Sequence, residues 1–327
     1  SAASNSMDIS GTITITPTGQ PAAADEVLTI GGANRTIEWT DVGLTNFNVV
    51  YKIGAGSENA VSVGCTNTSS NSCTFPLVNA MVGKNLTVIV KDADAPATHP
   101  AVVTPPVSNT FNVKGAITIA AQPVVANNTP KVVGNNITMD WSANTAAVTT
   151  YSLYYVIGGA ETLIDASIDD VTEVPYSFNL LPAMVGTGVS LKVYDADAAH
   201  PTTASALSNS MDISGAITIT AQPVGADDTA KDAGNNISMT WSGPDLGIVK
   251  YDLFYSINGG AATNAIPACN DIPAVSGVAS CTFTILDAMV GNNIRLVAKD
   301  YDPAHPVSAS AASNSMDISG TITITPT

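Results

Sequence analysis

Basic residues are scarce in this chain. Only 11 of its 327 residues are Lys or Arg, against 27 Asp and Glu, so the formal net charge is −16 at pH 7. This balance argues against a nucleic-acid partner, because neutralising phosphates needs clustered basic residues. Charged residues make up 12% of the chain, whereas a typical soluble domain carries about 25%. Ala, Val, Thr, Ser, Asn and Gly take their place, which favours short strands and polar turns.

Other features are also missing. No run of about eighteen apolar residues occurs, so we expect no membrane span. The sequence opens with Ser1, inside a repeat, and not with Met or a signal peptide. We therefore expect it to be a mature product or a segment of a longer chain, with any targeting sequence removed or upstream. It has no Gly-x-Ser-x-Gly, phosphate loop or His-Glu-x-x-His motif. We therefore expect no enzyme activity.

The four cysteines form two local pairs, Cys65 with Cys73 and Cys269 with Cys281. Their even number, without Cys-x-x-Cys or a nearby His, favours two disulfides over zinc. Disulfides form in an oxidising compartment, so we predict an extracellular or cell-surface location. Two pairs of buried free thiols are the alternative. Because both loops are short, each bridge should contribute at most about 3 kcal/mol of stability.

The chain repeats itself on two scales. The same eighteen residues, SAASNSMDISGTITITPT, stand at positions 1–18 and 310–327. A looser repeat begins at residues 11, 115, 215 and 320, which gives units of 104, 100 and 105 residues. We predict three domains and two flanking segments. These are a final strand of a preceding repeat at 1–10, domains at 11–114, 115–214 and 215–319, and the first strand of a following repeat at 320–327.

Each unit carries the same strand signals in the same order. One strand ends in Trp39, Trp141 or Trp241, and the next segment shows the clearest period of two in the chain, with an apolar residue at every second position. The apolar positions of this segment are Phe47, Val49, Tyr51 and Ile53, then Tyr151, Leu153, Tyr155 and Ile157, then Tyr251, Leu253, Tyr255 and Ile257. Such alternation places one face of a strand on a core. With about seven strands per unit and no helical periodicity, the pattern predicts an all-β chain of three tandem antiparallel β-sandwiches.

The Trp strand, the Tyr-x-Leu-x-Tyr strand and the penultimate strand that ends in an acidic turn resemble fibronectin type III and related immunoglobulin-like (Ig-like) modules. The resemblance covers essentially the whole chain and implies three such domains in a rod, as in large microbial surface or filament proteins. It implies a stalk, spacer or adhesive module, and no chemistry. Because a single Gly separates successive units, we expect the rod to be fairly stiff.

An Asp-x-Asp pair followed by His-Pro recurs once in each unit. The residues are Asp92, Asp94 and His99, then Asp195, Asp197 and His200, then Asp300, Asp302 and His305. In a sandwich this loop faces the preceding domain, beside the loop that carries Asp41 or Asp245, and converging carboxylates are suitable calcium ligands. The alternative is that Asp caps a tight turn and Pro ends it. Zinc is disfavoured, because one His per loop leaves a tetrahedral site short of ligands.

Six Asn-x-Ser/Thr sequons are candidates for glycosylation. They begin at Asn34, Asn136, Asn236, Asn67, Asn85 and Asn127. The first three share one position, five residues before the Trp, which favours a surface strand start that a glycan could reach. Chance is the alternative in a sequence this rich in Asn and Thr.

The leading hypothesis is a structural repeat unit of an extracellular filament, stalk or surface fibre that joins copies of itself head to tail. Either the units continue in one polypeptide, or separate subunits exchange strands. We favour the first, because residues 310–319 already provide a final strand for the third domain. Self-assembly is predicted to involve Ser1, Met7, Ile9, Ile318, Ile322 and Ile324.

Two other functions remain open. The chain could be an adhesive or glycan-binding cell-surface protein that uses the sandwiches as a spacer, or an enzyme accessory region. Cell-surface or glycan contact belongs to the first of these. No cofactor is required for any of the three functions, and calcium is the one candidate ligand.

Overall fold

The computed structural model describes residues 10–94, 100, 102, 104–144, 146–170, 172–243, 250–300, 302 and 305–320. These residues form 25 strands and six short 3-10 helices, with no α-helix among them. The prediction of an all-β chain is confirmed. In the same ranges, no helix has the length and apolar character needed to cross a membrane.

Domain 1 has eight strands in two sheets. They are β1 (Thr12–Ile15), β2 (Val27–Thr29), β3 (Arg35–Val42), β4 (Phe47–Ile53), β5 (Asn59–Ala60), β6 (Ser72–Phe75), β7 (Gly83–Asp92) and β8 (Phe111–Lys114). One sheet has the order β1-β3-β6 and the other β2-β8-β7-β4-β5. Strand β2 runs parallel to β8, whereas β7 pairs with β8 antiparallel. Domain 1 therefore has its first strand, β1, in one sheet and its second, β2, at the edge of the other.

Domain 2 repeats this arrangement. Its strands are β9 (Ile117–Ala121), β10 (Thr129–Val132), β11 (Asn136–Ala143), β12 (Thr150–Ile157), β13 (Ala160–Asp169), β14 (Tyr176–Asn179), β15 (Gly186–Asp195) and β16 (Met211–Ser214). The sheets have the orders β14-β11-β9 and β10-β16-β15-β12-β13, and the β10–β16 pair is again parallel.

Domain 3 has the same plan with one additional short strand. Its strands are β17 (Thr218–Ala221), β18 (Thr229–Asp232), β19 (Asn236–Ser242), β20 (Lys250–Ser256), β21 (Asn264–Ala265), β22 (Ile272–Pro273), β23 (Val278–Thr284), β24 (Gly291–Asp300) and β25 (Met316–Ser319). The sheets have the orders β17-β19-β23 and β18-β25-β24-β20-β21, and β22 also pairs with β20. The three domains are tandem Ig-like β-sandwiches.

Each sandwich encloses its own hydrophobic core. The tryptophan of the third strand packs edge-on against the first aromatic residue of the fourth strand. The ring centroids are 5.3 Å apart for Trp39 and Phe47, 5.6 Å for Trp141 and Tyr151, and 5.8 Å for Trp241 and Tyr251. These rings are almost completely buried, which confirms the period of two read from the sequence.

Hydrogen bonds connect the beginning of each domain to the segment directly before its last strand. In domain 2, Gln122 Oε1 accepts from the backbone N of Asn209 at 2.7 Å, and Asn209 Nδ2 donates to the carbonyl O of Val124 at 3.0 Å. The equivalent pairs are Gln20 with Asn109 at 2.8 Å and Gln222 with Asn314 at 2.9 Å. Gln-Pro recurs at residues 20–21, 122–123 and 222–223, and Ser-Asn at 108–109, 208–209 and 313–314. These contacts give both repeated pairs a structural role.

Candidate functional site

The acidic loop of domain 2 begins where strand β15 ends. Asp195 is the last residue of that strand, and its side chain is completely buried. Its Oδ1 accepts from the backbone N of Asp197 at 2.9 Å, and its Oδ2 lies 2.8 Å from Nδ1 of His200. Because an ionised carboxylate can only accept, Nδ1 is the donor. Asp197 Oδ1 in turn accepts from the backbone N of Ala199 at 2.8 Å.

Domain 3 has the same geometry. Asp300 is completely buried, and its Oδ1 accepts from the backbone N of Asp302 at 2.9 Å. Its Oδ2 lies 3.1 Å from Nδ1 of His305. In both domains the first Asp therefore caps a tight turn, and the histidine supplies a donor to its second oxygen.

In domain 1 the second Asp reaches a different partner. Asp92 Oδ1 accepts from the backbone N of Asp94 at 3.0 Å, as in the other domains. Asp94 also accepts from Thr45 Oγ1 at 2.6 Å and from Asn46 Nδ2 at 2.9 Å, so it connects its own loop to the loop between β3 and β4. His99 lies outside the described residues.

The described part of the chain contains no group of three or more His, Cys, Asp or Glu side chains placed to hold a metal ion. Asp41 accepts from the backbone N of Leu44 at 3.3 Å and from Asn71 Nδ2 at 2.8 Å. Asp245 lies outside the described residues. Calcium binding stays a prediction. Asp92, Asp195 and Asp300 each cap a turn of their own loop, whereas Asp41 and Asp94 also accept from side chains of other segments.

The acidic loop of domain 2 lies against domain 1. Lys84 Nζ donates to the carbonyl O of Ala198 at 2.7 Å, and the backbone N of Lys84 donates to the carbonyl O of Ala199 at 3.2 Å. A cleft of about 490 Å³ at this junction is lined by Ile30 and Leu77 of domain 1 and by Asn144 of domain 2, among others. The loop is thus part of a domain junction.

Both predicted disulfides are formed, Cys65 with Cys73 and Cys269 with Cys281. In domain 1 the bridge joins the 3-10 helix Val63–Cys65, which follows β5, to strand β6. In domain 3 it joins the 3-10 helix Pro267–Cys269, which follows β21, to β23. Strand β5 lies at the edge of one sheet, and β6 lies in the other sheet. The bridge therefore connects the segment that follows β5 to the opposite sheet.

A hydrogen bond takes the place of the disulfide in domain 2. Tyr176 occupies the register position of Cys73 and Cys281, opposite the residue that lies two before the domain's Trp. Its hydroxyl donates to Oδ2 of Asp165, on β13, at 2.7 Å. Burial, followed by this hydrogen bond, raises the pKa of Tyr176 to about 12. Hydrogen bonds from Tyr176 and from the backbone of Ser167 lower the pKa of Asp165.

All six sequon asparagines are exposed: Asn34, Asn67, Asn85, Asn127, Asn136 and Asn236. Asn136 and Asn236 are the first residues of β11 and β19. Thr87, the hydroxyl residue of the sequon that begins at Asn85, is buried. Glycosylation stays a prediction.

Most of the predicted self-assembly residues lie outside the described residues, namely Ser1, Met7, Ile9, Ile322 and Ile324. Ile318 lies in β25 and is buried in the core of domain 3. Strand β25 itself is paired on both sides, with β24 and with β18.

One feature that the sequence reasoning missed is an aromatic patch on domain 2. The rings of Tyr154 and Tyr194 lie on the outer face of the five-stranded sheet, with centroids 5.2 Å apart. Glu161 accepts from Lys192 Nζ at 2.7 Å and from Tyr194 Oη at 2.6 Å, and these two bonds lower its pKa. The parity of Tyr154, opposite to that of the core residues of β12, was the available signal.

The sheet topology defines the class as tandem Ig-like domains. No protein-family model matches the chain, and no curated protein matches it. Among solved structures it is similar to a tetra-tandem repeat in the extending region of a large adhesion protein, at 14% identity and a TM-score of 0.34, covering 88% of this chain and 73% of that one.

Two further similar structures are a titin I-band fragment and the eight N-terminal Ig domains of Down Syndrome Cell Adhesion Molecule. The first is 9% identical, with a TM-score of 0.28 and coverage of 94% and 98% of the two chains. The second is 10% identical, with a TM-score of 0.33, and the match spans 95% of this chain and 42% of that one. Sequence identities and TM-scores this low give no information about function. The fold assignment rests on the sheet topology.

Proposed function

We propose that the chain is a structural repeat unit of an extracellular filament, stalk or surface fibre, in which copies follow one another head to tail. The observation that carries the proposal is the direct continuation of each sandwich into the next. Two residues separate β8 from β9, and three separate β16 from β17. Links this short restrict the freedom between neighbouring domains, which suits an extended spacer.

Two other observations support this function. The identity of residues 1–18 and 310–327 favours repetition along an axis. The two disulfides favour an oxidising, extracellular location. Of the two ways of joining copies, we favour a covalent array, because β25 is already paired on both of its edges and offers none for strand exchange.

Electron microscopy of the native material tests the proposal. We expect filaments or stalks with a periodicity of three sandwiches along the axis. Single free particles with the mass of one 327-residue chain would contradict the head-to-tail arrangement. Single rods that carry a distinct head would favour the adhesive function instead.

The second candidate function is adhesion to a cell surface or glycan, and the tyrosine patch of domain 2 favours it. Both tyrosines are half-buried on this face, and aromatic side chains at a surface are common at binding sites because they contribute contact area with few rotatable bonds. The test is a glycan array probed with the intact chain and with a Tyr154→Ser, Tyr194→Ser variant. Binding that is lost in this variant and kept in Val63→Ser, a change at a distant exposed position, would support adhesion. No binding by the intact chain would remove it.

Calcium binding at the acidic loops belongs to the same proposal, as a ligand that would stiffen the domain junctions. If calcium is bound at about a hundredfold excess over its Kd, its removal with a chelator should cost roughly 2 to 3 kcal/mol. Thermal unfolding with and without the chelator measures this, and Asp94→Asn should reduce the effect in domain 1 alone. An unchanged Tm would remove calcium from the proposal.

Glycosylation of the exposed sequons is the remaining part of the proposal. Intact-mass measurement of the native protein, before and after glycosidase treatment, tests it. A native mass equal to that of the unmodified chain would contradict glycosylation.

A further inference from the structure

Equivalent positions at the ends of the three domains differ in exposure. We define the lower end of a domain as the end that faces the following domain, and the upper end as the end that faces the preceding one. At the lower ends, an Ala-Met-Val-Gly motif at residues 80–83, 183–186 and 288–291 leads into strands β7, β15 and β24. Its valine is 5% exposed at Val82 and 8% at Val185, but 43% at Val290. Domains 1 and 2 are each followed by a described domain, whereas domain 3 is not.

The burial of the glycines between the units also depends on whether a described domain lies on both sides. Gly115 and Gly215 lie between two described domains and are buried. Gly11, before the first strand of domain 1, is half-buried, and Gly320, after the last strand of domain 3, is exposed. Burial of this glycine thus accompanies a complete junction.

The upper end of domain 1 also exposes an apolar residue. Val42 is 70% exposed and corresponds to Asn144 of domain 2, since Val42 pairs with Thr12 as Asn144 bonds to Ala116. Asn144 lines the cleft between domains 1 and 2. Val42 therefore occupies the place in domain 1 that in domain 2 faces a preceding domain.

We propose that the lower end of domain 3, centred on Val290, binds the upper end of domain 1, at Val42 and Gly11, in a second copy of this chain. The inference rests on the proposed head-to-tail function and specifies which surfaces meet. Both surfaces are continuous with the kind of junction that already joins domains 1 and 2. Contact would remove two exposed valines from water, which favours association.

Chemical labelling of introduced thiols tests this junction. The native cysteines are all disulfide-bonded, so a Val290→Cys variant presents one free thiol. We compare its reaction rate with a thiol reagent in the 327-residue chain and in a two-copy chain, in which residues 1–309 carrying the variant precede a complete second copy. Because residues 310–327 repeat residues 1–18, this joining adds no foreign sequence.

We expect labelling in the two-copy chain to be slower by about fivefold, the ratio of the exposed fractions of Val290 and Val185. Val42→Asp in the second copy should restore fast labelling. Val63→Asp is the control, because Val63 is 94% exposed and lies away from the proposed junction, and this change should leave the labelling slow. Val278→Cys, on β23, should react equally fast in both chains. Thermal unfolding of each variant confirms that the domains are folded.

Equal labelling rates of Val290→Cys in the one-copy and two-copy chains would overturn the junction. That outcome is separable from failure of the proposed function. Native filaments combined with equal rates would mean that copies join through other surfaces. Protection in the two-copy chain combined with free single particles in native material would overturn the filament and leave the surface match standing.

Discussion

At the scale of single residues, His200 and His305 hold the acidic loops of domains 2 and 3 in shape. Each histidine donates to a carboxylate that is completely buried. A buried carboxylate that loses a hydrogen-bond donor lowers the stability of the folded domain. The same loop of domain 2 contacts Lys84 of domain 1. These histidines therefore act on the folded loop and, through it, on the junction.

Replacing His200 by Ala should destabilise domain 2 by about 1 to 3 kcal/mol, because one oxygen of Asp195 loses its donor inside the protein. Chemical denaturation at neutral pH measures the change. Thr202→Ala is the matched control, since Thr202 is exposed in the same loop, and it should be nearly neutral. Equal stability of the His200 variant and the native chain would contradict the role given to this histidine.

The pair of Tyr176 and Asp165 predicts a pH dependence confined to domain 2. Asp165 has a lowered pKa in the folded chain, so its contribution is present above its usual pKa of 3.8 and is lost as the pH falls through the folded value. Tyr176 has its pKa raised from 10.0 to about 12, so its contribution is present below 10.0 and is lost as the pH rises toward 12.

Tyr176→Phe should therefore cost about 1 kcal/mol near neutral pH, and the difference from the native chain should shrink at both extremes of pH. Urea unfolding at a series of pH values measures it. Asp165→Asn is the companion variant and should remove the acid limb of the difference. A loss of stability that is the same from acid to alkaline pH would show that the Tyr176–Asp165 hydrogen bond does not cause it.

At the scale of elements, the beginning and end of each domain are joined by the same three features. The second strand pairs in parallel with the last strand, a glutamine accepts from an asparagine backbone N, and that asparagine side chain donates back to the segment before the second strand. Each last strand is therefore held from two directions. This arrangement closes a domain before the chain continues into the next one.

Asn209→Ala should destabilise domain 2 by roughly 1 kcal/mol, because the side-chain bond to Val124 is lost while the backbone bond to Gln122 can remain. Hydrogen exchange of β10 and β16 measures where the loss occurs, and these strands should exchange faster. In the native chain, Asn127 Oδ1 accepts from the backbone N of Ser210. Asn127→Ala removes that one neighbouring hydrogen bond and serves as the comparison variant. Unchanged exchange in β10 would contradict the tie.

At the scale of the whole molecule, the three sandwiches share a plan and differ in how they are braced. Domains 1 and 3 carry a disulfide between the segment after the fifth strand and the far sheet, and domain 2 carries the Tyr176–Asp165 bond. A chain built this way has two redox-sensitive domains on either side of one that is not.

A reductant should therefore lower the stability of domains 1 and 3, each by up to about 3 kcal/mol, and leave domain 2 unchanged. Hydrogen exchange resolved by domain, with and without reductant, measures this. Cys65→Ser with Cys73→Ser should reproduce the effect in domain 1 alone and serves as the control. Faster exchange of domain 2 under reduction would show that the domains are coupled in stability.

The sequence by itself determined the all-β class and the inward positions of the core. Alternation at Tyr151, Leu153 and Tyr155 has a single structural solution, because a strand with one buried face repeats every two residues. The disulfide pairs were also within reach, since each has only one partner in its own repeat. Short-range patterns of this kind need no knowledge of distant contacts.

Only the tertiary structure decided how the acidic loops and the domain ends are used. The Asp-x-Asp-His pattern is compatible with an ion site or a capped turn, and the choice depends on where His200 and the loop backbone lie relative to Asp195. The substitution of Tyr176 for a cysteine became visible only through strand register. The exposure of Val42 and Val290 depends on which domain covers them, and burial by a neighbouring domain leaves no periodic signal in the sequence.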